Sequence, residues 1–63
     1  MAMSIKAARI NAGYNQTEAA ELLGVSRTTV SNWETGTFRP SKKNLEKMVE
    51  VYKLESTRDI FLP

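Results

Sequence analysis

Apolar residues recur at helical spacing in five short segments of the chain, and small or polar residues separate these segments. Each of the last four segments opens at a residue whose side chain can accept from the free N–H groups of a first helical turn. These N-cap residues are Asn15, Ser26, Ser41 and Ser56. An acid follows the first and the last of them by three residues, which is the spacing of a capping box. No segment alternates with the period of a strand, so the pattern predicts helices throughout.

The ends and the apolar stripes of the segments predict one small core. The first three segments, of which the first runs from about residue 4 to residue 11, stop at glycines. The fourth carries an apolar stripe: Leu45, Met48, Val49 and Tyr52. The fifth, of one or two turns, carries Ile60 and Phe61 behind its cap. We therefore expect an all-α, compact five-helix domain over residues 1–63, with residues 1–2 derived from cloning.

Residues 16–34 have the features of two helices joined by a tight turn. Leu23 and Gly24 end one helix and Ser26 caps the next, so about three residues remain for the turn. Such a short connection forces the helices to cross steeply, which requires a small residue at the crossing and a residue that tolerates positive φ in the turn. Ala20 and Gly24 meet these two requirements. The segment therefore predicts a helix-turn-helix.

The outer face of the second helix in this unit is polar and contains no carboxylate. At about 100° per residue, Val30 and Trp33 point to the core, while four other side chains point away from it. These are Arg27, Thr28, Ser31 and Asn32. Arginine can pair with guanine, and asparagine with adenine, through two hydrogen bonds each. A merely solvated face is the alternative, but the helix-turn-helix context favours the reading of DNA bases.

Composition excludes several classes of protein. The chain has 63 residues and a net charge of +2, with no cysteine and no histidine. A chain of this size builds one small core, and it has neither disulfides nor the commonest metal ligands. The sequence shows no nucleophile beside a base and no set of converging carboxylates. We therefore expect that the protein is not an enzyme and that it binds neither a metal nor a cofactor. The absence of cysteine and of an export signal or an apolar membrane span favours a cytoplasmic location.

Residues 4–54 resemble the lambda-repressor/Cro type of helix-turn-helix domain, also called the XRE type. The string RINAGYNQTEAAELLGVSRTTVSNWETG, from Arg9 to Gly36, carries the resemblance, together with Pro40 and the stripe that follows it. Within that string, NQTEAA at the start of the second helix and SNWETG at the end of the third are especially specific to the family. The resemblance implies a DNA-binding domain in which the third helix enters the major groove.

The resemblance also implies roles for individual side chains. Gln16 matches a family glutamine that binds a DNA phosphate and braces the first side chain of the recognition helix, and Asn15 lies beside it. Ser26 is close enough for a phosphate or methyl contact. Arg9 and Glu34 match a buried ion pair that ties the first helix to the end of the third. The positions that match the family's base contacts are Arg27, Thr28 and Asn32.

The segment after the third helix supplies cations and hydroxyls without an intervening acid: Thr35, Thr37, Arg39, Lys42 and Lys43. Such side chains bind phosphates, which fix the register of a protein on DNA and make its affinity salt-dependent. Four of the seven acids lie beyond this cluster, from Glu46 onwards, where they would face away from DNA. We therefore expect the cluster to supply the non-specific, phosphate-binding part of the DNA interface.

The end of the chain departs from the family pattern. Members usually pass from the fourth helix through a Gly-Val-Ser turn into a fifth, whereas this chain has Lys53 in place of the glycine and one extra residue before Ser56. The apolar residues that follow could close the monomer's core or make a homodimer contact, with neither favoured. They are Ile60, Phe61 and Leu62.

These features together predict sequence-specific binding to a double-stranded, pseudo-palindromic DNA operator, by a phage or bacterial transcriptional regulator of the repressor or Cro-like kind. We expect a weak or DNA-dependent homodimer and no membrane or small-molecule ligand. The chain is either a complete Cro-like regulator or the N-terminal domain of a longer repressor. A protein-interaction module and an antitoxin component are the alternatives, although the former would favour apolar anchors on the face that is polar here.

Overall fold

The computed structural model describes residues 2–63, and this part of the chain contains four α-helices and two short strands. The helices are α1 (Ile5–Asn11), α2 (Gln16–Leu23), α3 (Arg27–Thr35) and α4 (Lys42–Val51). A 3-10 turn over Thr57–Asp59 follows α4. The strands are β1 (Met3–Ser4) and β2 (Ile60–Phe61). None of these helices is long and apolar enough to cross a membrane.

The predicted caps set where the elements begin. Asn15 Oδ1 accepts from the backbone N–H of Glu18 at 2.8 Å, and Glu18 Oε1 accepts from the N–H of Asn15 at 2.9 Å, so the predicted capping box is confirmed. Ser26 and Ser41 cap α3 and α4 through their hydroxyls. Because these caps satisfy N–H groups that a helix itself leaves free, they fix the first turns of the helices that carry the candidate site.

The core lies between the helices and is closed by the end of the chain. It consists of the following buried residues: Ile5, Ala8, Ala19, Ala20, Leu23, Val30, Trp33, Met48, Tyr52 and Ile60. Trp33 is 5% exposed, as the helical spacing predicted, and Ala20 is 4% exposed on the helix that packs most extensively against α3. The small side chain at position 20 permits the close approach of α2 and α3.

Three helices, α1, α2 and α4, end in the same hydrogen-bonded motif, but α4 has a different type of residue at the left-handed position. Gly24 ends α2 at φ 73°, and the N–H of Val25 donates to the carbonyl of Ala20 at 3.0 Å. At the end of α4 this position is taken by Lys53, with φ 58°, and the N–H of Leu54 donates to the carbonyl of Val49 at 2.9 Å. This 6→1 bond defines a Schellman motif, which favours glycine at the position that Lys53 occupies.

The prediction of a fifth helix is wrong, whereas the predicted helical class holds, with the addition of a sheet of two short strands. The capping box of Ser56 and Asp59 is present, but it produces only the 3-10 turn, and Ile60 is extended at φ −114° and ψ 127°. β2 pairs in parallel with β1, with Met3 opposite Ile60. β-Branched and aromatic residues favour this extended state, and Pro63 disfavours helical backbone at the residue before it. The pairing joins the two ends of the chain.

Candidate nucleic-acid interface

The outer face of α3 carries the four residues predicted to contact bases. Arg27 and Thr28 are exposed at its first turn, and Ser31 and Asn32 are half-buried further along. Arg27, Thr28 and Ser31 line a cleft with Gln16 from the start of α2. The cleft has a volume of about 170 Å³, which is smaller than the roughly 300–1,000 Å³ of typical small-molecule sites. It is therefore an open depression between the helices of the helix-turn-helix.

The turn between α2 and α3 presents the N-terminus of α3 at the surface. Ser26 Oγ accepts from the backbone N–H of Thr29 at 3.1 Å and lies 2.9 Å from Thr29 Oγ1. No acidic residue stands in the first turn of α3. Since the N-terminal end of a helix carries partial positive charge, this end and the adjacent Arg27 form a site favourable to an anion.

Arg9 and Glu34 form a buried ion pair between α1 and α3. Arg9 Nε donates to Glu34 Oε2 at 2.7 Å, and Arg9 Nη2 donates to Glu34 Oε1 at 3.1 Å. The exposed fractions of the two side chains are 9% and 3%. The hydrogen bond to Glu34 raises the pKa of Arg9, while burial acts in the opposite direction. The two hydrogen bonds give the pair a two-point geometry that fixes both side chains.

Glu34 also binds Gln16. Gln16 Nε2 donates to Glu34 Oε1 at 3.1 Å, so the side chain predicted to bind a DNA phosphate is held by the same carboxylate that pairs with Arg9. The remaining guanidinium nitrogen of Arg9, Nη1, donates to the carbonyl of Tyr14 at 2.9 Å. One buried arginine–glutamate pair thus connects α1, the loop that follows it, α2 and α3.

Tyr52, the C-cap residue of α4, packs near this group. It is 3% exposed, and its hydroxyl has no hydrogen-bond partner among the described residues. Its ring lies 6.5 Å from that of Tyr14, measured between centroids. Burial, reinforced by the negative charge of Glu34, raises the pKa of Tyr52 to about 12. The hydroxyl therefore remains protonated well above neutral pH.

The cations predicted to bind phosphate lie beyond the other end of α3. Arg39, Lys42 and Lys43 are all exposed, and the first turn of α4 contains no acid. The loop that carries Arg39 is anchored to α3, because the N–H of Phe38 donates to the carbonyl of Asn32 at 3.2 Å. The cations consequently have a defined position relative to the face of α3.

The predicted phosphate-binding hydroxyls and amide already have partners within the protein. The hydroxyls of Thr35 and Thr37 lie 2.9 Å apart, and Thr35 Oγ1 also donates to the carbonyl of Asn32 at 3.3 Å. Asn15 uses its oxygen for the capping box, which leaves its side-chain nitrogen for an external acceptor. All of the residues predicted to bind phosphate are exposed except Gln16, which is half-buried.

The structure separates the three residues that were offered as a possible dimer contact. Ile60 is 8% exposed and belongs to the monomer's core, which is the first of the two alternatives that the sequence left open. The reason is the pairing of β2 with β1, which turns its side chain inwards. Phe61 is 55% exposed, and Leu62 is half-buried beside Trp33 and Pro63 in a small surface cleft.

Two features of this region were not evident from sequence. The bond from Gln16 to Glu34 joins residues on different helices, and its only signal was that both residues match a family pattern separately. The unpartnered hydroxyl of Tyr52 had no signal at all, since its position in the stripe of α4 predicts only burial. Within residues 2–63, no group of three or more acidic, histidine or cysteine side chains is arranged to hold a metal ion.

The short turn, the left-handed Gly24 and the exposed polar face of α3 define a helix-turn-helix domain. The model of the helix-turn-helix family matches residues 5–59, which include all four α-helices and the 3-10 turn. The chain therefore belongs to this family of DNA-binding domains, in its lambda-repressor/Cro-like form. Neither the curated proteins nor the solved structures gave a significant match.

Proposed function

We propose that this protein binds a specific double-stranded DNA operator, with α3 in the major groove, and acts as a transcriptional regulator of phage or bacterial type in the cytoplasm. The observation that carries the proposal is the face of α3, which exposes an arginine and hydroxyls without any carboxylate beside the N-terminus of the helix. A carboxylate there would repel the phosphates on both sides of the groove.

The side chains on this surface divide into two functions. Arg27 binds the O6 and N7 atoms of a guanine, and Asn32 binds an adenine or a neighbouring base edge. Thr28 and Ser31, which lie between them in sequence, also contact bases. Phosphates are bound by residues at both ends of α3: Asn15, Gln16 and Ser26 at one end, and Thr35, Thr37, Arg39, Lys42 and Lys43 at the other. Contacts at both ends would hold α3 in one register along the groove.

The operator is a pseudo-palindrome read by a weak homodimer that assembles on DNA. Phe61 and Leu62 are the apolar residues left for such a contact once Ile60 is assigned to the core, and Phe38, 63% exposed, lies at the same surface cleft as Leu62. A patch of this size falls short of the roughly 1,000 Å² that a stable interface buries in total. DNA would therefore have to supply the rest of the free energy of assembly.

The phosphate part of the proposal is tested by the salt dependence of binding to a fluorescently labelled duplex. Each phosphate contact contributes about 0.9 to the slope of log affinity against log salt concentration. We expect Lys42→Ala to lower the steepness of this slope by about one, equally for all DNA sequences.

Lys53→Ala is the matched control, because it removes the same charge at the far end of α4, a helix about 15 Å long. The slope should be unchanged in this variant. Equal effects of the two substitutions would mean that net charge, rather than a contact at the start of α4, governs binding. A wild-type protein that binds no duplex even at low salt would refute the proposed function.

A further inference from the structure

The carboxylate of Glu34 accepts three hydrogen bonds in a nearly dry environment. Two come from Arg9, to Oε2 and to Oε1, and the third comes from Gln16 Nε2 to Oε1 at 3.1 Å. The side chain of Glu34 is 3% exposed, so it can contact neither solvent nor DNA to any extent. A group this buried can influence DNA binding only through the side chains that it holds.

The bond to Glu34 fixes the amide of Gln16 in one of its two orientations. A side-chain amide has a donor nitrogen and an acceptor oxygen that a rotation of 180° exchanges, whereas an ionised carboxylate only accepts. The nitrogen of Gln16 must therefore face Glu34, and the oxygen must face away from it. The backbone that carries this side chain is also fixed, because Asn15 and Glu18 close a capping box around the start of α2.

The side chain of Gln16 lies beside three of the residues predicted to contact bases. Gln16 lines the cleft that Arg27, Thr28 and Ser31 form on the outer face of α3. Once one N–H is bound to Glu34, the second N–H and the oxygen remain for partners in this cleft. The N–H can donate to a phosphate and the oxygen can accept from the guanidinium of Arg27, so one amide can serve both partners without rotating.

We infer that Glu34 is a positioning residue for DNA recognition, which orients the amide of Gln16 so that it binds a phosphate and steers Arg27 towards its base. Arg9 completes the device by holding the carboxylate in place through two bonds. This inference rests on the proposed function, to which it adds a role for a buried pair that would otherwise only stabilise the fold.

The first test needs no DNA. Gln16 is the single glutamine of the chain, so its side-chain NH₂ signals in a ¹⁵N correlation spectrum are identified by their loss in Gln16→Met. We expect one of the two protons to be shifted downfield and protected from exchange. In Arg9→Met/Glu34→Leu, both should take the positions of a free amide. Signals of a free amide in the wild-type protein would overturn the inference.

The double replacement is chosen because it leaves neither charge of the pair buried alone. Glu34→Gln alone would leave the charge of Arg9 buried without its counter-ion, whereas apolar side chains of similar volume in place of a buried ion pair are often neutral or stabilising. Thermal melting establishes that every variant is folded at the temperature of the binding assay. Met48→Ala, which removes core volume but none of the hydrogen bonds of the pair, controls for a general loss of stability.

The second test is a double-mutant cycle on affinity for an operator obtained by selection. The pair replacement should weaken binding roughly three- to tenfold, the range that one hydrogen bond supplies, and should relax the preference for the base read by Arg27. Gln16→Met should weaken binding at least as much, because it removes the amide itself, and the two changes together should be no worse than Gln16→Met alone. Met48→Ala should bind as the wild type does.

The cycle distinguishes failure of the inference from failure of the proposed function. Additive losses, or an unchanged affinity in the pair replacement, would overturn the role of Glu34 while wild-type binding still supported the proposed function. A wild-type protein that selects no DNA sequence would overturn both. The amide signals of the free protein would then still show whether Glu34 orients Gln16.

Discussion

Replacing Lys53 by glycine should stabilise the protein, because Lys53 is the one non-glycine residue with positive φ among those the structure describes. At φ 58° the Cβ atom of any L-residue lies close to the carbonyl oxygen, which costs about 1–2 kcal/mol. Glycine avoids this cost but loses about 0.5–1 kcal/mol through the greater freedom of its unfolded chain. The expected net gain in the free energy of unfolding is about 0.5–1 kcal/mol.

This gain is large enough to measure by thermal unfolding. Entropies of unfolding are about 2.1 cal/mol/K per residue, so a chain of 63 residues changes its Tm by roughly 4–8 °C for 0.5–1 kcal/mol. Circular dichroism melts of the wild type and of Lys53→Gly should differ by this amount. The motif that ends α4 is expected to persist, because Leu54 still donates to the carbonyl of Val49.

Lys53→Ala separates the backbone effect from the effect of charge. Alanine also removes the positive charge but keeps a Cβ atom, so its Tm should stay near that of the wild type. Equal gains in both variants would assign the effect to charge. A lower Tm for Lys53→Gly would refute the argument, since it would mean that residue 53 does not occupy the left-handed conformation in solution.

Trp33→Ala should lower stability by about 3–5 kcal/mol through the cavity that it leaves in the core, and an unchanged Tm would show that the ring does not pack there. Tyr52→Phe should be neutral or stabilising, because the buried hydroxyl has no partner among the described residues, and a large loss would reveal one. Folding raises the pKa of Tyr52 from 10 to about 12, so the folded state retains the phenolic proton to a higher pH than the unfolded state does. The wild type should therefore lose stability relative to Tyr52→Phe as the pH rises from 10 to 12. Parallel profiles of stability against pH for the two proteins would contradict this. Arg27→Ala should cost roughly 1–3 kcal/mol of binding and relax the preference at one base pair, as measured by competition between duplexes, and an unchanged preference would remove Arg27 from the base-reading set.

Local signals predicted the parts of the fold that depend on local physics. Asn15, Ser26 and Ser41 begin helices because a side chain satisfies backbone groups three residues away, and that requirement is visible in sequence. The left-handed turn at Gly24 and the burial of Trp33 follow from equally local rules. These elements were sufficient to predict the helix-turn-helix and the polar face of α3.

The features that sequence did not predict depend on distant parts of the chain. Ile60 is extended because Met3, at the other end of the chain, provides a strand to pair with, and strands of two residues show no periodicity. A capping box at Ser56 predicts a helical start but carries no information about length, so the predicted helix ended after one 3-10 turn. The bond from Gln16 to Glu34 likewise required the angle between α2 and α3, which no local pattern specifies.

The central claim, that α3 reads a specific DNA sequence, is tested most directly by selection from a randomised duplex pool at moderate salt, followed by sequencing of the bound fraction. The account predicts enrichment of paired half-sites about one helical turn apart, with a guanine whose enrichment is lost when Arg27→Ala replaces the wild type in the same selection. Enrichment of a single half-site would support base reading and contradict the homodimer. No enrichment, together with no salt-dependent binding, would contradict the claim itself.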